Sequence, residues 1–354
     1  MTTSLASLVS YFLAINILSV SSFSSNRSFS SKASTATTHF AALNLSVSVI
    51  DTHVHLSNLS FTYPWANTSC GYSCPAAPPC LCEWTFTEYV SASISLPSSQ
   101  FVFVEVDVIP ELWLTEAEWV QSLASERNVP VGAIIAQPPP GFGNPSTDPN
   151  TLQQAAQQLA LLSLARGVRI ANVNFSDDSI ISTVIAHTTI LANAGLKSFD
   201  IIAGGFPLFD GSNNLVKLAR ALPQCNFILD HIGNPPFLLD KAHGDAWAAG
   251  MSTIGKEPNF FVKVGGLLQG FKSTKRVPSV DELRPWILHA FSSFGFSRSV
   301  YEGNWFFANW LIPAELQIYE IYARYISQIL LEIGATQSDL SKYFHDTAVI
   351  AYHI

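Results

Sequence analysis

The sequence has 354 residues, of which 48% are hydrophobic and only 12% are charged, so it can bury a large core in one big domain or two ordinary ones. The formal net charge is −8 and the pI is about 5.5, and the sequence has no cluster of Lys and Arg that could bind the phosphate groups of a nucleic acid. These values argue against a nucleic-acid partner and favour a small polar molecule as the ligand.

The start of the chain differs in composition from the rest and predicts a leader. The first fifty residues hold no Asp or Glu and only Arg27 and Lys32 as cations, and they are rich in serine. The apolar stretch 11–20 has the length of a signal-peptide core, although a basic segment before it is missing, and 21–40 resembles a transit peptide. We expect residues 1–45 to be removed or disordered, with no stable membrane span in the mature protein. The expected location is the secretory pathway or an organelle reached through it, so the protein would be secreted or plastid-like.

Eight short runs rich in Val, Ile and Phe follow, which is typical of buried parallel strands. The predicted strands are 47–53, 101–106, 129–136, 167–171, 198–203, 227–231, 260–265 and 299–303. Amphipathic stretches separate them, and the clearest predicted helices are 115–127, 151–165, 180–194, 280–294 and 313–333. Eight such units over 46–354 predict a single α/β domain, a (β/α)8 TIM barrel. An open doubly wound sheet is the runner-up, disfavoured because no glycine-rich phosphate loop follows the first strand.

A long insertion, 57–83, follows the first predicted strand and contains Trp65. It also holds four of the five cysteines, namely Cys70, Cys74, Cys80 and Cys82. Two disulfides are favoured over a structural zinc, because the spacing fits no standard zinc motif and the leader indicates secretion. In a TIM barrel this loop would lie at the C-terminal face, where active sites are built, and would form a lid or wall there.

Polar residues stand at the carboxyl ends of the predicted strands, where a barrel brings them together. The segment Ile50-Asp51-Thr52-His53-Val54-His55 places two histidines on one face of the first strand, since side chains alternate across a strand. The other polar residues at strand ends are Glu105, Asp107, Gln137, Arg169, Asp200, Asp230, His231, Lys263, Glu302 and Asn304. This set is too polar for a packed core and predicts a site.

Five motifs occur in sequence order between about residues 51 and 352. They are VIDTHVH at 49–55 with YPW at 63–65, LDHIGNP at 229–235, VKVGGL at 262–267, EGNW at 302–305 and FHDTA at 344–348. Together they resemble the amidohydrolase-related family of the amidohydrolase superfamily, in the branch of sugar-lactone hydrolases and 2-pyrone-4,6-dicarboxylate lactonase. A lone His-x-His is a weak signal, whereas five ordered motifs are specific at the level of the family.

The resemblance implies a TIM-barrel hydrolase in which His53, His55 and His231 surround the reacting carbonyl. In most active relatives an aspartate at the position of Asn304 acts as the general base or as a metal ligand. Asn304 carries no negative charge and cannot accept a proton from water near neutral pH. The usual mechanism of the family is therefore not expected to apply unchanged.

The metal is the second departure from the family. The resemblance implies a divalent metal such as zinc on His53 and His55, usually completed by a histidine or modified lysine from a middle strand, but 198–203 contains no histidine. Glu105 or Asp200 could complete a site. A metal-free site is the alternative, because an activated ester needs less electrophilic help than an amide.

The first functional hypothesis is a hydrolase that opens a lactone of a sugar acid or related small carboxylate. The three histidines would stabilise the oxyanion, and Asp230 or Glu105 would activate water. Arg169, Glu105, Trp65 and Trp305 are the candidate substrate-binding residues. A buried ion pair is the alternative for Arg169 and for the acids, with Lys263 as partner of Glu105 or Glu302, and packing is the alternative for Trp305.

Two other functions stay open. A barrel that lost turnover when the acid became Asn304 would have a binding role. A metal-dependent decarboxylase would need a fuller metal site.

Overall fold

Eight parallel strands follow one another in sequence order around one sheet, and the predicted TIM barrel is confirmed. The computed structural model describes residues 48–66, 83–93, 98–171, 173–202, 212–239, 241–274, 276–307 and 318–354. The predicted leader and the four clustered cysteines lie outside these residues, so the leader and the disulfides stay predictions. Cys225 is described, and it is a buried free thiol.

The strands all begin and end within a few residues of their predicted positions. They are β1 (Val49–Val54), β2 (Ser98–Val104), β3 (Val131–Ala136), β4 (Ala165–Ile170), β5 (Ser198–Ile201), β6 (Asn226–Leu229), β7 (Phe260–Gly265) and β8 (Ser299–Glu302).

A helix follows each strand in the described part of the chain. These helices are α1 (Phe86–Ala92), α2 (Trp113–Arg127), α3 (Pro149–Ala160), α4 (Ile181–Asn193), α5 (Ser212–Ala221), α6 (Lys241–Ile254), α7 (Val280–Phe294) and α8 (Ile318–Glu332). Two short helices close the chain, α9 (Gln337–Ser341) and α10 (Thr347–Tyr352). None of the helices described is both long and apolar enough to cross a membrane.

Helix α3 ends at Ala160, five residues before its predicted end. The apolar pattern continues past that point, but the Leu164 carbonyl accepts a hydrogen bond of 2.8 Å from the backbone N–H of Ile134 in β3. The backbone at Leu164 thus pairs with β3 instead of continuing the helix. Pairing with the neighbouring strand overrides the local helical periodicity here.

Helices α1, α5 and α6 were not among the clearest helical patterns. Helix α6 contains two glycines and reads as a weak helix, yet it places Trp247 in the core at 1% exposure. The Trp247 indole N–H also donates to the Ile232 carbonyl over 2.9 Å. Tertiary packing therefore stabilises a helix that its own propensity does not.

The C-terminal helix plugs the amino-terminal end of the barrel. Tyr352 and Ala351 pack in one cluster with side chains of β2, β3, β6 and β7. The Tyr352 hydroxyl donates to the Asp200 carboxylate over 2.9 Å. This contact leaves the carboxyl ends of the strands as the open end of the barrel.

Side chains as well as backbone close the barrel between β8 and β1. Val54 forms a parallel bridge with Trp305, and the Thr52 hydroxyl donates to the Tyr301 carbonyl over 2.6 Å. One oxygen of the buried Asp51 accepts the backbone N–H of Gly303 at 2.8 Å. The seam thus joins the strand that carries His53 to the strand that leads to Asn304.

We expect Asp51→Ala to lower the free energy of unfolding by about 2–4 kcal/mol, because it leaves buried hydrogen-bond donors without an acceptor on both sides of the seam. The Asp51 oxygens also accept from the backbone N–H of His53 at 3.1 Å and from the Tyr89 hydroxyl at 3.1 Å. Tyr89→Phe, which removes only the last of these bonds, should cost about 1 kcal/mol. Denaturant unfolding measures both, and an Asp51→Ala loss no larger than that of Tyr89→Phe would contradict the role of the seam.

Candidate active site

The carboxyl ends of the strands gather a buried polar cluster at the open end of the barrel. Its members are His53, His55, Glu105, Arg169, Asp200, Asp230, His231, Lys263, Glu302 and Asn304, each no more than 8% exposed. Of the polar strand-end residues, Asp107 is exposed and Gln137 is half-buried. The barrel therefore brings together the residues that the sequence placed at strand ends, and leaves those two at the rim.

The three histidines of the cluster meet. Nε2 of His53 lies 3.0 Å from Nε2 of His55, and the ring centroids of His53 and His231 are 4.7 Å apart. One small molecule can therefore touch all three imidazoles.

The hydrogen-bond partners fix which nitrogens carry hydrogen. The Val104 carbonyl can only accept, so Nδ1 of His55, 2.9 Å away, donates to it and Nε2 of His55 keeps a lone pair. Nζ of Lys263 lies 3.0 Å from Nδ1 of His53 and donates to it, which leaves Nε2 of His53 to donate to His55. The result is a directed chain from Lys263 through two neutral imidazoles to a backbone carbonyl.

The pKa values agree with neutral imidazoles. Burial and the adjacent Lys263 ammonium lower the pKa of His53 to about 4. Burial, with His53 and Arg169 nearby, holds the pKa of His55 well below its usual value. Both rings are therefore uncharged at neutral pH and act through hydrogen bonds or lone pairs.

Two buried cations and their acids form an ion-pair network beneath the histidines. The Lys263 ammonium lies 2.5 Å from an Asp200 oxygen and 3.0 Å from an Asp230 oxygen. Arg169 donates from Nε to Asp230 over 3.0 Å and from Nη1 to Glu105 over 3.2 Å. The buried ion pair expected as the alternative for Arg169 is thus present, and Lys263 pairs with Asp200 and Asp230 rather than with Glu105 or Glu302.

The two candidate bases differ in charge environment. Burial alone would raise the pKa of Asp230, but Lys263, His53 and Arg169 hold it well below its usual value. Burial raises the pKa of Glu105 to about 7, although Arg169 opposes this rise. Glu105 is therefore the stronger proton acceptor of the two near neutral pH.

Glu302 holds His231 in place and lies beside His53. One of its oxygens accepts from the backbone N–H of His231 at 3.1 Å and from Nδ1 of the same residue at 3.0 Å. The other oxygen lies 3.2 Å from Nδ1 of His53. Burial alone would raise the pKa of Glu302, but His231 and His53 outweigh it and lower that pKa to about 2. Glu302 is therefore an anion, two residues before the uncharged Asn304.

The backbone around His231 and Asn304 lies in the left-handed region. The φ angles are 52° at His231, 44° at Ile232 and 54° at Asn304, and such angles are costly for a β-branched residue like Ile232. A Cβ at Gly266 would lie 2.4 Å from Nδ1 of His231. The second glycine of the VKVGGL motif thus makes room for the imidazole.

Aromatic side chains form one wall of the site. The Phe307 ring lies 5.1 Å from the His55 ring and 5.4 Å from the Trp65 ring, and Phe306 stacks on Phe307 at 5.1 Å. Trp65 is half-buried, and its indole N–H donates to the Val106 carbonyl over 2.8 Å. We call Trp65, Phe306 and Phe307 the aromatic wall.

Trp305 lies in the core rather than in this wall. It is 2% exposed, and its ring packs edge-on against Trp84 at 5.2 Å. This position favours the packing alternative for Trp305 over contact with a substrate.

Asn304 is buried with both polar atoms of its amide unpartnered by hydrogen bonds. A buried amide without partners is costly, and such groups are found where a ligand or water completes them. Asn304 can offer an N–H donor and a carbonyl acceptor to a bound molecule.

The donor atoms of the cluster fit a divalent metal. His53, His231 and Glu302 offer ligand atoms within 4.8 Å of one another, and the His55 lone pair points at Nε2 of His53. In the other tautomer His53 carries its hydrogen on Nδ1. The second Glu302 oxygen, which has no hydrogen-bond partner, can then accept that hydrogen, and Nε2 of His53 has a free lone pair for a metal. A carboxylate behind one imidazole and a backbone carbonyl behind the other are the supports that metal-binding histidines normally have.

Three residues of the site have roles that the sequence analysis did not assign. Asp51 bonds the seam, Glu302 bridges two histidines, and Tyr352 donates to Asp200 from the plug. A signal existed for the first two, because both stand within the motifs quoted above. No local pattern points to Tyr352, since 152 residues separate it from its partner.

Comparison with known proteins supports the same class of fold. The amidohydrolase family model matches residues 212–354, and none of the curated proteins matches the chain. A zinc-bound amidohydrolase structure from Burkholderia multivorans shares 15% identity, covers 87% of this chain and 100% of its own, and has a TM-score of 0.64.

Two further solved structures are similar. A probable 2-pyrone-4,6-dicarboxylic acid hydrolase from Acinetobacter baumannii shares 12% identity, with 87% of this chain and 100% of that one covered and a TM-score of 0.56. A manganese-bound 5-carboxyvanillate decarboxylase from Novosphingobium aromaticivorans shares 11% identity, with coverages of 87% and 98% and a TM-score of 0.54. At these identities the structures establish the fold, and with the family model they confirm the resemblance to the amidohydrolases.

We expect Gly266→Ala to destabilise the protein more than Gly334→Ala, by about 1–3 kcal/mol, because only the former drives a methyl group into His231. Gly334 is a matched control, since its φ of +67° is close to the +61° of Gly266 and no atom lies within 4 Å of an added Cβ. Denaturant unfolding and the NMR shifts of the His231 ring report the effect. Equal losses in the two variants would contradict the contact.

Proposed function

We propose that this protein is a hydrolase that opens a lactone, the cyclic ester of a sugar acid or of a related small carboxylate. Its resemblance to the amidohydrolases, in the fold and over residues 212–354, supports this proposal. The observation that carries the proposal is the meeting of three buried imidazoles at the open end of the barrel, with 3.0 Å between His53 and His55 and 4.7 Å between the His53 and His231 rings.

The histidines suit the stabilisation of an oxyanion. When water attacks an ester carbonyl, negative charge develops on its oxygen, and fixed N–H donors in a water-poor site stabilise that charge. Burial keeps His53 neutral, and its Nε2–H, which faces His55, can donate to the oxyanion instead, whereas the N–H of the neutral His55 stays on the Val104 carbonyl. The amide N–H of Asn304 is an additional donor, since it is buried and has no partner.

Proton transfer is assigned to Glu105. Its pKa of about 7 lets it accept a proton from water near neutral pH, whereas Asp230 is held ionised and tied to two cations. Glu302 is the positioning residue that fixes the ring orientation of His231.

A divalent metal fits the same residues. Nε2 of His53 and of His55 would hold it, with His231 and the Asn304 carbonyl as further donors, and such an ion would polarise the ester carbonyl and acidify water. The Val104 carbonyl supports His55 with or without the ion, whereas Glu302 would support His53 once that ring carries its hydrogen on Nδ1.

A metal-dependent decarboxylase is the second candidate, favoured by this donor set and by the manganese-bound decarboxylase among the similar structures. The two reactions have different products. Opening of a lactone consumes one water and releases one proton, whereas decarboxylation releases CO2. A panel of lactones and aromatic carboxylates, followed by pH-stat titration and CO2 detection, distinguishes them.

We expect His53→Ala to abolish lactone hydrolysis, with a fall in kcat/KM of about a hundredfold or more, because a central oxyanion donor is lost. His345→Ala is the control, since His345 lies near the surface and pairs with Asp346. Full activity of the His53 variant in a pH-stat assay would refute the mechanism.

The role of Asn304 is tested by Asn304→Asp. If the site is built around a neutral amide, the parent hydrolyses lactones and the variant gains no more than a few-fold. Activity confined to the Asp variant would instead favour the binding protein that lost turnover.

We expect kcat/KM to rise with pH and to level off above about pH 7, because Glu105 must be ionised to accept a proton and its pKa is about 7. Below that pH the base is protonated and activity falls tenfold per pH unit. Glu105→Gln should remove this dependence together with most of the activity. A flat profile of the parent between pH 5.5 and 8.5 would contradict the assignment.

A further inference from the structure

We infer that the substrate of this site is a neutral lactone, without a carboxylate group elsewhere on the molecule, and that its ring lies against the aromatic wall. This inference rests on the proposed lactone hydrolysis and narrows its substrate class. It removes the small carboxylates from the candidates and keeps the uncharged sugar lactones.

The buried cations of the site are already committed to internal acids. Arg169 and Lys263 are the two Lys or Arg side chains that are buried among the described residues. Arg169 uses its Nε for Asp230 and an Nη for Glu105, and Lys263 bonds Asp200 and lies 3.0 Å from Asp230. A substrate carboxylate would have to share one of these cations with the buried acids, which would weaken the compensation of those acids.

The acids in the site outnumber the cations. Four buried carboxyl groups, those of Glu105, Asp200, Asp230 and Glu302, face two cations. A second negative group on the substrate would therefore meet like charges in a region of low dielectric.

Other cations near the open end are also paired. Arg276 makes two hydrogen bonds with Glu282, at 2.6 and 2.9 Å, and Lys241 lies 2.5 Å from Asp245. Between residues 48 and 354, the structure describes the side chains of all Lys and Arg residues except Lys272 and Lys275. The undescribed segments 67–82, 94–97, 203–211 and 308–317 contain no Lys or Arg at all.

The aromatic wall provides the complementary surface. Phe307 stands between Trp65 and His55, with ring distances of 5.4 and 5.1 Å, so a ring placed at the histidines also reaches an aromatic face. Aromatic rings favour the apolar face of a sugar or an unsaturated lactone, and they offer no compensation for a desolvated carboxylate. The buried acids thus disfavour a substrate with a carboxylate, and the aromatic wall favours a substrate whose ring can stack on it.

The experiment uses two pairs of lactones that differ only in carboxylate content. 2-Pyrone is compared with 2-pyrone-4,6-dicarboxylate, and gluconolactone with glucarolactone, by calorimetric binding and by pH-stat turnover on the full chain at low and high salt. We expect the neutral member of a pair to bind at least tenfold more tightly, and the gap to narrow at high salt because screening weakens repulsion.

Phe307→Leu tests the wall and should weaken binding of the neutral lactone about fivefold. Phe296→Leu is the matched control, since Phe296 is also half-buried but lies before β8, at the opposite end of the barrel. Equal effects of the two substitutions would overturn the part of the proposal that concerns the aromatic wall.

The outcomes separate this inference from the proposed function. Preference for the neutral lactones in binding, without turnover of any, would refute the hydrolase and leave the substrate class standing. Equal or tighter binding of the carboxylated members would overturn the inference even if they were hydrolysed, and Lys272→Ala with Lys275→Ala would then identify the cation responsible. Absence of binding by all four lactones would overturn both.

Discussion

The seam between the last and the first strand is the constraint on which the site depends. Asp51 accepts a hydrogen bond from Gly303 and another from His53, so one buried carboxylate ties the end of β8 to the strand that carries the histidine pair. Without this closure the sheet would have two edges with unpaired backbone groups. With it, residues almost 250 positions apart lie in one cavity, and Glu302 can reach His53.

Charge compensation explains most of the remaining geometry. A buried carboxylate is stable only with partners, and each acid of the site has them: Asp230 has Lys263 and Arg169, Asp200 has Lys263 and Tyr352, and Glu302 has His231. Burial together with the Lys263 ammonium keeps His53 neutral, and burial does the same for His55. The pairings also occupy the cations, which leaves hydrogen bonding and stacking as the means of recognising a ligand.

The site differs at one position from the pattern of the family that the chain resembles. An aspartate at 304 would place a negative charge beside the histidines, and Asn304 does not. Glu302, at the end of β8 and two residues earlier in the chain, is an anion whose oxygens lie near His231 and His53. The site therefore has a negative charge beside Nδ1 of His231, while position 304 is uncharged.

The sequence by itself determined the architecture and the identity of the polar cluster. The alternation of apolar runs with amphipathic stretches predicts eight strands, because a strand buried on both faces must be apolar along its length, and the strand ends named His53, His55 and His231 in advance. The helical pattern extends beyond the end of α3 and is not clear at α6, since these two elements depend on pairing at Leu164 and packing of Trp247 rather than on local propensity.

Only the tertiary structure decided which charges pair. The acidic partners of Lys263 and Arg169 stand some 30 to 65 residues away in sequence. A pattern along the chain does not show which of several acids at strand ends will lie within about 3 Å of each cation. The packing role of Trp305 and the orientation of the imidazoles were decided in the same way, by neighbours that only the closed barrel supplies.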